Sequence, residues 1–376
     1  MKILHIAPDE KFIEAADSIF EIAFPKQNTF IITVQDISAE LKHVEKKRNY
    51  FFYEENDVTL STLSDILGEY DIVILHSLDY FKSRLVLKST NHIKFVWIFW
   101  GLEFYGNPYI FRENIYGEVT YKRFVKTNFY RLKNLFRPLF YKLIYGKKDN
   151  YNSITEAAKK VAVVVASKED YDLILQKRVI NATTKHFEFS YYPIEFLFKD
   201  GHDRINGNNI LLGNSASFSN NHIEAFEILK KINIGNRKII VPLSYGDNEY
   251  ALEINNEGDK IFGNNFFPLL EFMKLDEYNK TISSCGITIM NHYRQQAVGN
   301  IIAMLWMGSK VYLDERNTVY HYLKRIGCDV YLIRDLSEDT LENLSEEQVV
   351  NNRKVLKKEI GMESIVNNLK KNLKNI

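Results

Sequence analysis

One pattern recurs along the chain: a short, continuously apolar run is followed by a longer stretch whose apolar residues recur at helical spacing. Apolar runs without alternation are typical of parallel strands buried on both faces, and parallel strands need such helical crossovers. The sequence therefore predicts an α/β fold. The predicted strands are 2–7, 29–34, 50–53, 71–76, 94–100, 161–166, 186–191, 209–213, 238–243, 286–290 and 310–313.

A polar, Gly- and Asn-rich stretch at 199–209 interrupts this pattern, which then restarts. A chain of 376 residues is also too long for one typical core. We therefore predict two doubly wound, Rossmann-like domains, residues 1–198 and 199–350, and a helix at 351–376 that can pack back across the linker. Ligands bind beyond the carboxyl ends of such strands, so two facing sheets would place the site in the cleft between them.

The composition excludes several classes of protein. Cys285 and Cys328 form neither a disulfide framework nor a metal-ligand spacing. The chain starts without a signal-like segment, and no apolar run approaches the ~20 residues needed to span a bilayer. These features predict a cytoplasmic protein.

The formal net charge of +1 hides a basic segment at 111–148. Its cations are interleaved with Phe, Tyr and Leu, which suits peripheral contact with an anionic inner-membrane surface. Nucleic-acid binding and a basic helix packed on the sheet are the alternatives, and we predict no nucleic-acid partner. The cations are Arg112, Lys122, Arg123, Lys126, Arg131, Lys133, Arg137, Lys142, Lys147 and Lys148, opposed by Glu113 and Glu118.

The segment 287–305 (ITIMNHYRQQAVGNIIAML) predicts a strand, a polar turn and a helix. The free N–H groups at a helix start attract phosphate, and Arg294 adds a fixed positive charge. An ordinary strand-to-helix connection is the plain alternative. The candidate phosphate-binding residues are Arg294, Gln295, Gln296, Gly299 and Asn300.

Two further polar clusters follow predicted strands of the second half. Asn214 and Ser215 come after 209–213, where small residues let a backbone approach a ligand, although Ser219 or Asn220 could simply cap the next helix. Tyr245, Asn248 and Glu249 come after 238–243 and could equally form an ordinary turn. Neither cluster has the G-x-G-x-x-G spacing of a nicotinamide-binding turn. We predict no bound cofactor and no metal.

Three side chains in the first half are candidate general bases: His76, which ends the predicted strand 71–76, Glu103, which follows the strand 94–100, and Asp9, which follows the first strand. A carboxylate or an imidazole at a strand end can accept a proton if it faces the cleft. The alternatives are a structural, hydrogen-bonded histidine for His76 and a charge at a helix N-terminus for Glu103.

Four sequence blocks together resemble one family, the TDP-N-acetylfucosamine:lipid II N-acetylfucosaminyltransferases (4-α-L-fucosyltransferases) of bacterial surface-polysaccharide assembly. The blocks are WGLEFYG at 100–106, LLGNSASFSNNHIEA at 211–225, VPLSYGDNEY at 241–250 and RQQAVGN at 294–300. The resemblance implies a metal-independent GT-B glycosyltransferase. It also implies a dTDP-activated deoxyamino sugar of the 4-acetamido-4,6-dideoxygalactose type as donor and a polyprenyl-diphosphate-linked saccharide as acceptor. The family motif has Asp where this chain has Glu103.

The resulting hypothesis is glycosyl transfer from a nucleotide-diphospho-sugar. Arg294, the helix start at 299–300 and the turn at 214–215 would stabilise the leaving diphosphate, because no Asp-x-Asp motif is placed to bind a metal there. Tyr245, Asn248 and Glu249 would bind the nucleotide or sugar, and Glu103, His76 or Asp9 would deprotonate the acceptor. The alternatives are a transferase or epimerase with other substrates, and a non-catalytic membrane- or nucleic-acid-binding protein.

Overall fold

The computed structural model describes residues 1–45, 47, 49–90, 92–111, 115–125, 128–198 and 204–376, without the side chains of 128–135 and 275. The chain forms two compact units. The first comprises Met1–Arg112, Phe129–Pro193 and Ile360–Ile376, and the second comprises Glu113–Asn128 and Ile194–Glu359. The chain therefore passes between the units at 193–194 and 359–360, where the sequence predicted 198–199 and 350–351. Residues 113–128, which interrupt the first unit, also belong to the second unit.

The first unit contains a seven-stranded sheet in which every neighbouring pair is parallel. Its order is β3-β2-β1-β4-β5-β6-β7. The order reverses between β1 and β4, so the loops that follow these two strands diverge at that point. The strands are β1 Ile3–Pro8, β2 Asn28–Val34, β3 Tyr50–Glu54, β4 Ile72–His76, β5 Phe95–Ile98, β6 Val163–Val165 and β7 Lys185–Phe187.

The second unit contains a six-stranded parallel sheet in the order β10-β9-β8-β11-β12-β13. Here the order reverses between β8 and β11, which makes the loops after these strands the expected ligand site. The strands are β8 Ile210–Leu212, β9 Ile239–Pro242, β10 Phe266–Leu269, β11 Ile287–Met290, β12 Lys310–Leu313 and β13 Tyr331–Leu332.

Helices connect the parallel strands in both units, as the sequence pattern predicted. Among the described residues, no helix combines the length and the apolar character needed to cross a bilayer. The helices are α1 Ile13–Ala23, α2 Asp57–Ile66, α3 Tyr80–Lys88, α4 Leu102–Tyr105, α5 Glu118–Thr120, α6 Asn128–Tyr145, α7 Asn150–Ala158, α8 Lys168–Gln176, α9 Ile194–Leu197, α10 His222–Leu229, α11 Asn248–Phe262, α12 Leu275–Ile282, α13 Val298–Met307, α14 Thr318–Ile326, α15 Glu346–Ile360 and α16 Met362–Leu373.

The C-terminal segment consists of two helices that meet at Gly361, rather than one helix over 351–376. α15 belongs to the second unit almost to its end, and α16 packs against α1 of the first unit. Ile365, Leu369 and Leu373 of α16 are buried. Burial of this apolar face explains why the segment returns to the first unit.

Residues 115–125 of the basic segment are fastened to the second unit. The Gly117 N–H donates to Asn221 Oδ1 at 2.7 Å, and Glu224 accepts hydrogen bonds from the backbone N–H and hydroxyl of Thr120. The Phe124 ring packs against Tyr250, with ring centroids 4.9 Å apart. Parts of the predicted basic segment lie outside the described residues, including Arg112, Glu113, Lys126 and the side chains of Arg131 and Lys133.

Candidate functional site

The loops after β8 and β11 are joined by buried polar side chains. Asn220 Oδ1 accepts hydrogen bonds from the Asn214 N–H at 2.9 Å and from His292 Nε2 at 2.8 Å, and both Asn220 and His292 are fully buried. Gly213 sits directly against Asn220 and His222, with φ +69°. An added Cβ would lie 2.7 Å from Asn220 Oδ1, so only glycine fits this turn.

Several predicted ligand-binding residues are therefore neighbours. Gln296 accepts a hydrogen bond from the Ser219 hydroxyl at 2.6 Å and donates to Asn214 Oδ1 at 3.4 Å, while Asn220 donates to Ser215 Oγ at 3.3 Å. The alternative in which Ser219 or Asn220 caps α10 is wrong, because α10 begins after Asn221, whose backbone is left-handed with φ 51°. Asn220 instead ties the two loops together.

The start of α13 has the properties of an anion-binding end. Ala297 precedes it in a left-handed conformation, and among the described side chains none caps the helix. Space opens beside Gly299, where an added Cβ would meet none of the described atoms within 4 Å. Asn300 lies in the first turn of α13, where a backbone N–H has no acceptor within the helix. Such a helix end carries partial positive charge and free donors.

Arg294 and Gln295 lie in the turn that leads to this helix. Arg294 is partly buried, and its Nη1 donates to the carbonyl of Gln295 at 2.8 Å. Burial, the nearby Arg294 charge and His222 lower the pKa of His292 well below its usual range. Arg294 is thus the fixed cation of this turn, and His292 is neutral.

The loop after β9 lies beside the loop after β8. Ala216 and Gly246 form a parallel bridge, in which the Ala216 N–H donates to the carbonyl of Tyr245 at 2.7 Å. The side chains of Tyr245, Asn248 and Glu249 are exposed, with Tyr245 81% exposed. They are available to a ligand, and α11 holds the backbone of Asn248 and Glu249.

The sequence did not single out an aromatic-cation stack at the ends of β11 and β12. The Arg316 guanidinium lies over the Tyr293 ring, 3.2 Å from its centroid. Both ends of the same guanidinium donate to Asp314, at 2.7 and 2.8 Å. Because Arg316 lies more than twenty residues beyond Tyr293, only the adjacency of β11 and β12 could have signalled the pair.

In the first unit, Glu103 is held in the first turn of α4, at the carboxyl end of β5. Its Oε1 accepts hydrogen bonds from Trp97 Nε1 and from the backbone N–H of Trp100, both at 3.0 Å. Burial raises the pKa of Glu103, while these hydrogen bonds oppose the shift. A partly buried carboxylate with a raised pKa is suited to accept a proton.

His76 belongs to a chain of buried hydrogen bonds in which the donor and the acceptor of every bond can be assigned. Trp100 Nε1 can only donate, so Tyr191 Oη accepts its proton at 2.8 Å and donates its own to His76 Nδ1 at 2.9 Å. His76 then donates from Nε2 to His5 Nδ1 at 3.1 Å, and His5 donates to Asn28 Oδ1 at 3.3 Å.

The far end of this chain is fixed as well, because the Asn28 amide N–H groups donate to two carbonyls at the end of α1. An added proton on His76 would have to sit at Nδ1, which already faces a donor. Burial lowers the pKa of His76 well below its usual range. The geometry therefore favours the structural interpretation of His76 and makes Glu103 the stronger candidate base.

Asp9 follows β1 and closes a loop. Its carboxylate accepts hydrogen bonds from the backbone N–H groups of Lys42, His43 and Val44, at 2.6, 3.1 and 2.9 Å. These contacts occupy both oxygens and explain the residue without a catalytic role. Among the described residues, no three His, Cys, Asp or Glu side chains gather as a metal site would require.

Several solved structures share this fold. HepE (Alr3699) from Anabaena, crystallised with UDP, matches with a TM-score of 0.60 and 9% identity over the whole of both chains. Trehalose-6-phosphate synthase OtsA matches with a TM-score of 0.62 and 11% identity, over 100% of this chain and 99% of the other. Sucrose-phosphate synthase from Thermosynechococcus elongatus gives 0.61 and 8% over the same shares. The predicted GT-B fold is confirmed.

The family model described as "4-alpha-L-fucosyltransferase glycosyl transferase group 56" matches residues 132–361, more than half of the chain. This range contains three of the four sequence blocks on which the resemblance was based, together with both loops of the second sheet's switch point. The predicted family is confirmed: the chain belongs to the 4-alpha-L-fucosyltransferases of glycosyl transferase group 56 and is a glycosyltransferase.

Proposed function

We propose that this enzyme transfers a deoxyamino sugar, of the 4-acetamido-4,6-dideoxygalactose type, from a dTDP-sugar to a polyprenyl-diphosphate-linked saccharide. Family membership supports transfer of a 6-deoxy sugar, and the fold is shared with a protein crystallised with UDP and with UDP-glucose. The observation that carries the donor part of the proposal is the uncapped start of α13 beside Arg294, at the switch point of the second sheet.

The leaving group of such a donor is a nucleoside diphosphate, whose negative charge grows as the anomeric bond breaks. Arg294 would pair with this charge, and the free N–H groups of Gly299 and Asn300 would donate to the phosphate oxygens. The close packing around Gly213 fixes the neighbouring backbone before the ligand arrives. The hydrogen bonds that Asn220 Oδ1 accepts from Asn214 and His292 have the same effect. A preorganised turn of this kind can replace a metal ion in neutralising the diphosphate.

The nucleoside and the sugar would lie over the exposed residues that follow β9. Tyr245 offers a ring for stacking, and Asn248 and Glu249 offer hydrogen-bonding groups at the first turn of α11. The acceptor hydroxyl would lose its proton to Glu103. Neither assignment requires a cofactor besides the donor itself.

A lipid-linked acceptor requires the enzyme to meet a membrane surface, and α6 is suited to this contact. Phe136, Leu139, Phe140 and Leu143 follow one another at the spacing of a single helical face, and each is more than half exposed. An exposed apolar stripe with cations nearby is typical of helices that lie in the membrane interface. Arg137 instead packs within the first unit, because it stacks on Tyr151 and donates to Asn150.

The donor assignment is tested with Arg294→Ala. We expect kcat to fall by about a hundredfold to a thousandfold, the usual effect of removing one group that stabilises a developing anion. Arg204→Ala is the matched control, since Arg204 is exposed and pairs with Glu346. The measurement is sugar transfer from dTDP-sugar, together with thermal shifts in a panel of nucleoside diphosphates. Near-normal turnover of Arg294→Ala, or no thermal shift with dTDP, would overturn the assignment.

A further inference from the structure

A basic cavity lies on the surface of the first unit, beside the helices that follow β3 and β4. It has a volume of about 340 Å³, opens broadly to solvent and is lined by α2, α3, the start of α7 and the two lysines that follow α6. Its lining combines an apolar floor with four cationic side chains. The lining residues are Leu60, Tyr80, Arg84, Leu87, Lys88, Lys147, Lys148 and Ser153.

The cations exceed the carboxylates that contact them. Arg84 and Lys147 share one carboxylate, that of Asp57, at 2.5 and 2.8 Å. Lys148 pairs with Glu156, and Lys88 is exposed at the cavity. Two cations that converge on one anion from separate elements are arranged as they would be around a phosphate.

The cavity is built on packed helices, which hold these cations close together. α3 packs against both α2 and α7. Tyr80 fixes the chain after α6 by donating its hydroxyl proton to the carbonyl of Lys148 at 3.1 Å, and the Arg84 guanidinium lies 5.5 Å from the Tyr80 ring centroid. Two of the lining residues, Leu60 and Ser153, are themselves buried. The packed helices therefore fix the backbone positions from which these cations reach the cavity.

The cavity also directly follows the exposed apolar face of α6. Lys147 comes two residues after Tyr145, the last residue of that helix. The hydrogen bond from Arg137 to Asn150 ties α6 to the start of α7, which contributes to the cavity wall. A phosphate-binding cavity beside a membrane-binding helix would lie at the depth of lipid headgroups.

We propose that this cavity binds the phosphate of a membrane lipid that presents a phosphomonoester or a diphosphate. Arg84 and Lys147 turn from Asp57 to the phosphate oxygens, and Lys88 and Lys148 complete the contact, while α6 lies in the bilayer interface. The inference rests on the membrane contact in the proposed function. It adds a headgroup chemistry to that contact: an exposed phosphate with several free oxygens binds better than a phosphodiester of equal surface charge.

The test is vesicle co-sedimentation of the full-length protein. Phosphatidylcholine vesicles receive either phosphatidic acid or phosphatidylglycerol, adjusted to equal zeta potential. We expect the wild-type protein to prefer phosphatidic acid. The double variant Lys88→Gln, Lys147→Gln should lose that preference and bind phosphatidic acid vesicles at least tenfold more weakly, since each cation near the surface strengthens binding roughly fivefold. The charge-matched control Lys230→Gln, Lys260→Gln, at exposed lysines of the second unit, should change binding less than about twofold.

Further arms identify the source of the phosphate. Competition between inorganic pyrophosphate and phosphatidic acid vesicles supports the proposal and shows that the cavity also takes free phosphate. Equal binding to vesicles in which polyprenyl phosphate replaces phosphatidic acid supports the proposal and shows that it takes a carrier lipid. Leu139→Gln with Leu143→Gln should weaken binding to every vesicle while the headgroup preference persists. Equal binding of both anionic vesicles, or a cavity variant that behaves like the control, overturns the proposal. A dTDP thermal shift measured on the cavity variant reports separately on the donor site, so failure of the proposed function is distinguishable.

Discussion

Mild acid should destabilise the second unit, because it buries two neutral histidines. His222 and His292 are fully buried, and burial lowers the pKa of His222 to about 3 and that of His292 well below its usual range. In the unfolded chain both rings take up a proton near pH 6.5. The folded pKa lies below the unfolded one, so the unfolded state binds more protons, and stability falls as the pH drops below about 6.5.

The size of this effect follows from the shift of His222. Between pH 7 and pH 5, one histidine whose pKa falls from its unfolded value to about 3 removes about 2 kcal/mol of folding free energy. His292 acts in the same direction. Total stabilities of domains are typically about 5–15 kcal/mol, so the change is a large part of the whole. In the first unit the raised pKa values of Glu55 and Glu103 oppose the effect of His5 and His76.

The assay is urea unfolding at pH 7 and pH 5, with the transition of each unit followed separately. His222→Asn keeps a polar group near the Tyr250 hydroxyl, to which His222 Nδ1 is bonded at 3.1 Å, and should reduce the acid loss of the second unit by about 2 kcal/mol. His43→Asn, at an exposed histidine, is the control. A wild-type protein equally stable at both pH values, or a His222 variant with unchanged acid loss, would refute the reasoning.

Two other substitutions test the sites more directly. Glu103→Gln should lower kcat by about a hundredfold to ten-thousandfold with donor binding unchanged, because the amide oxygen can still accept from Trp97 while the proton acceptor is lost. Because the pKa of Glu103 is raised, kcat of the wild-type enzyme should begin to fall with decreasing pH above the ordinary glutamate range. Turnover of the Glu103→Gln variant within tenfold of wild type would exclude this base. Gly213→Ala should lower the unfolding free energy by about 1–3 kcal/mol, because its Cβ would meet Asn220 and His222 at 2.7 Å and φ is +69°, and calorimetry that finds no loss would contradict the packing argument.

The sequence pattern located most strands because both sheets are buried on both faces, which makes a strand a continuous apolar run. It missed the edge strands β10 and β13. β10 contains Pro268 and an exposed Phe267, and β13 is two residues long and only partly buried. An edge strand needs only one partner and can tolerate proline, so its sequence carries a weak signal. The two missed strands are those whose sequence is least constrained to be apolar by burial.

The candidate site was predictable to the extent that topology alone brings residues together. Asn214 and Gln296 are 82 positions apart, yet both follow strands at the reversal of the second sheet, and their side chains are 3.4 Å apart. A doubly wound order forces that adjacency whatever the loops contain.

The roles of individual polar residues were not predictable in this way. His5, in the middle of an apolar strand, and Tyr191, in a loop, acquire their meaning only through a hydrogen-bond chain that joins Trp100 to Asn28. Because both ring nitrogens of His76 are already engaged in that chain and burial lowers its pKa, the histidine that looks like a base in the sequence is poorly suited to accept a proton.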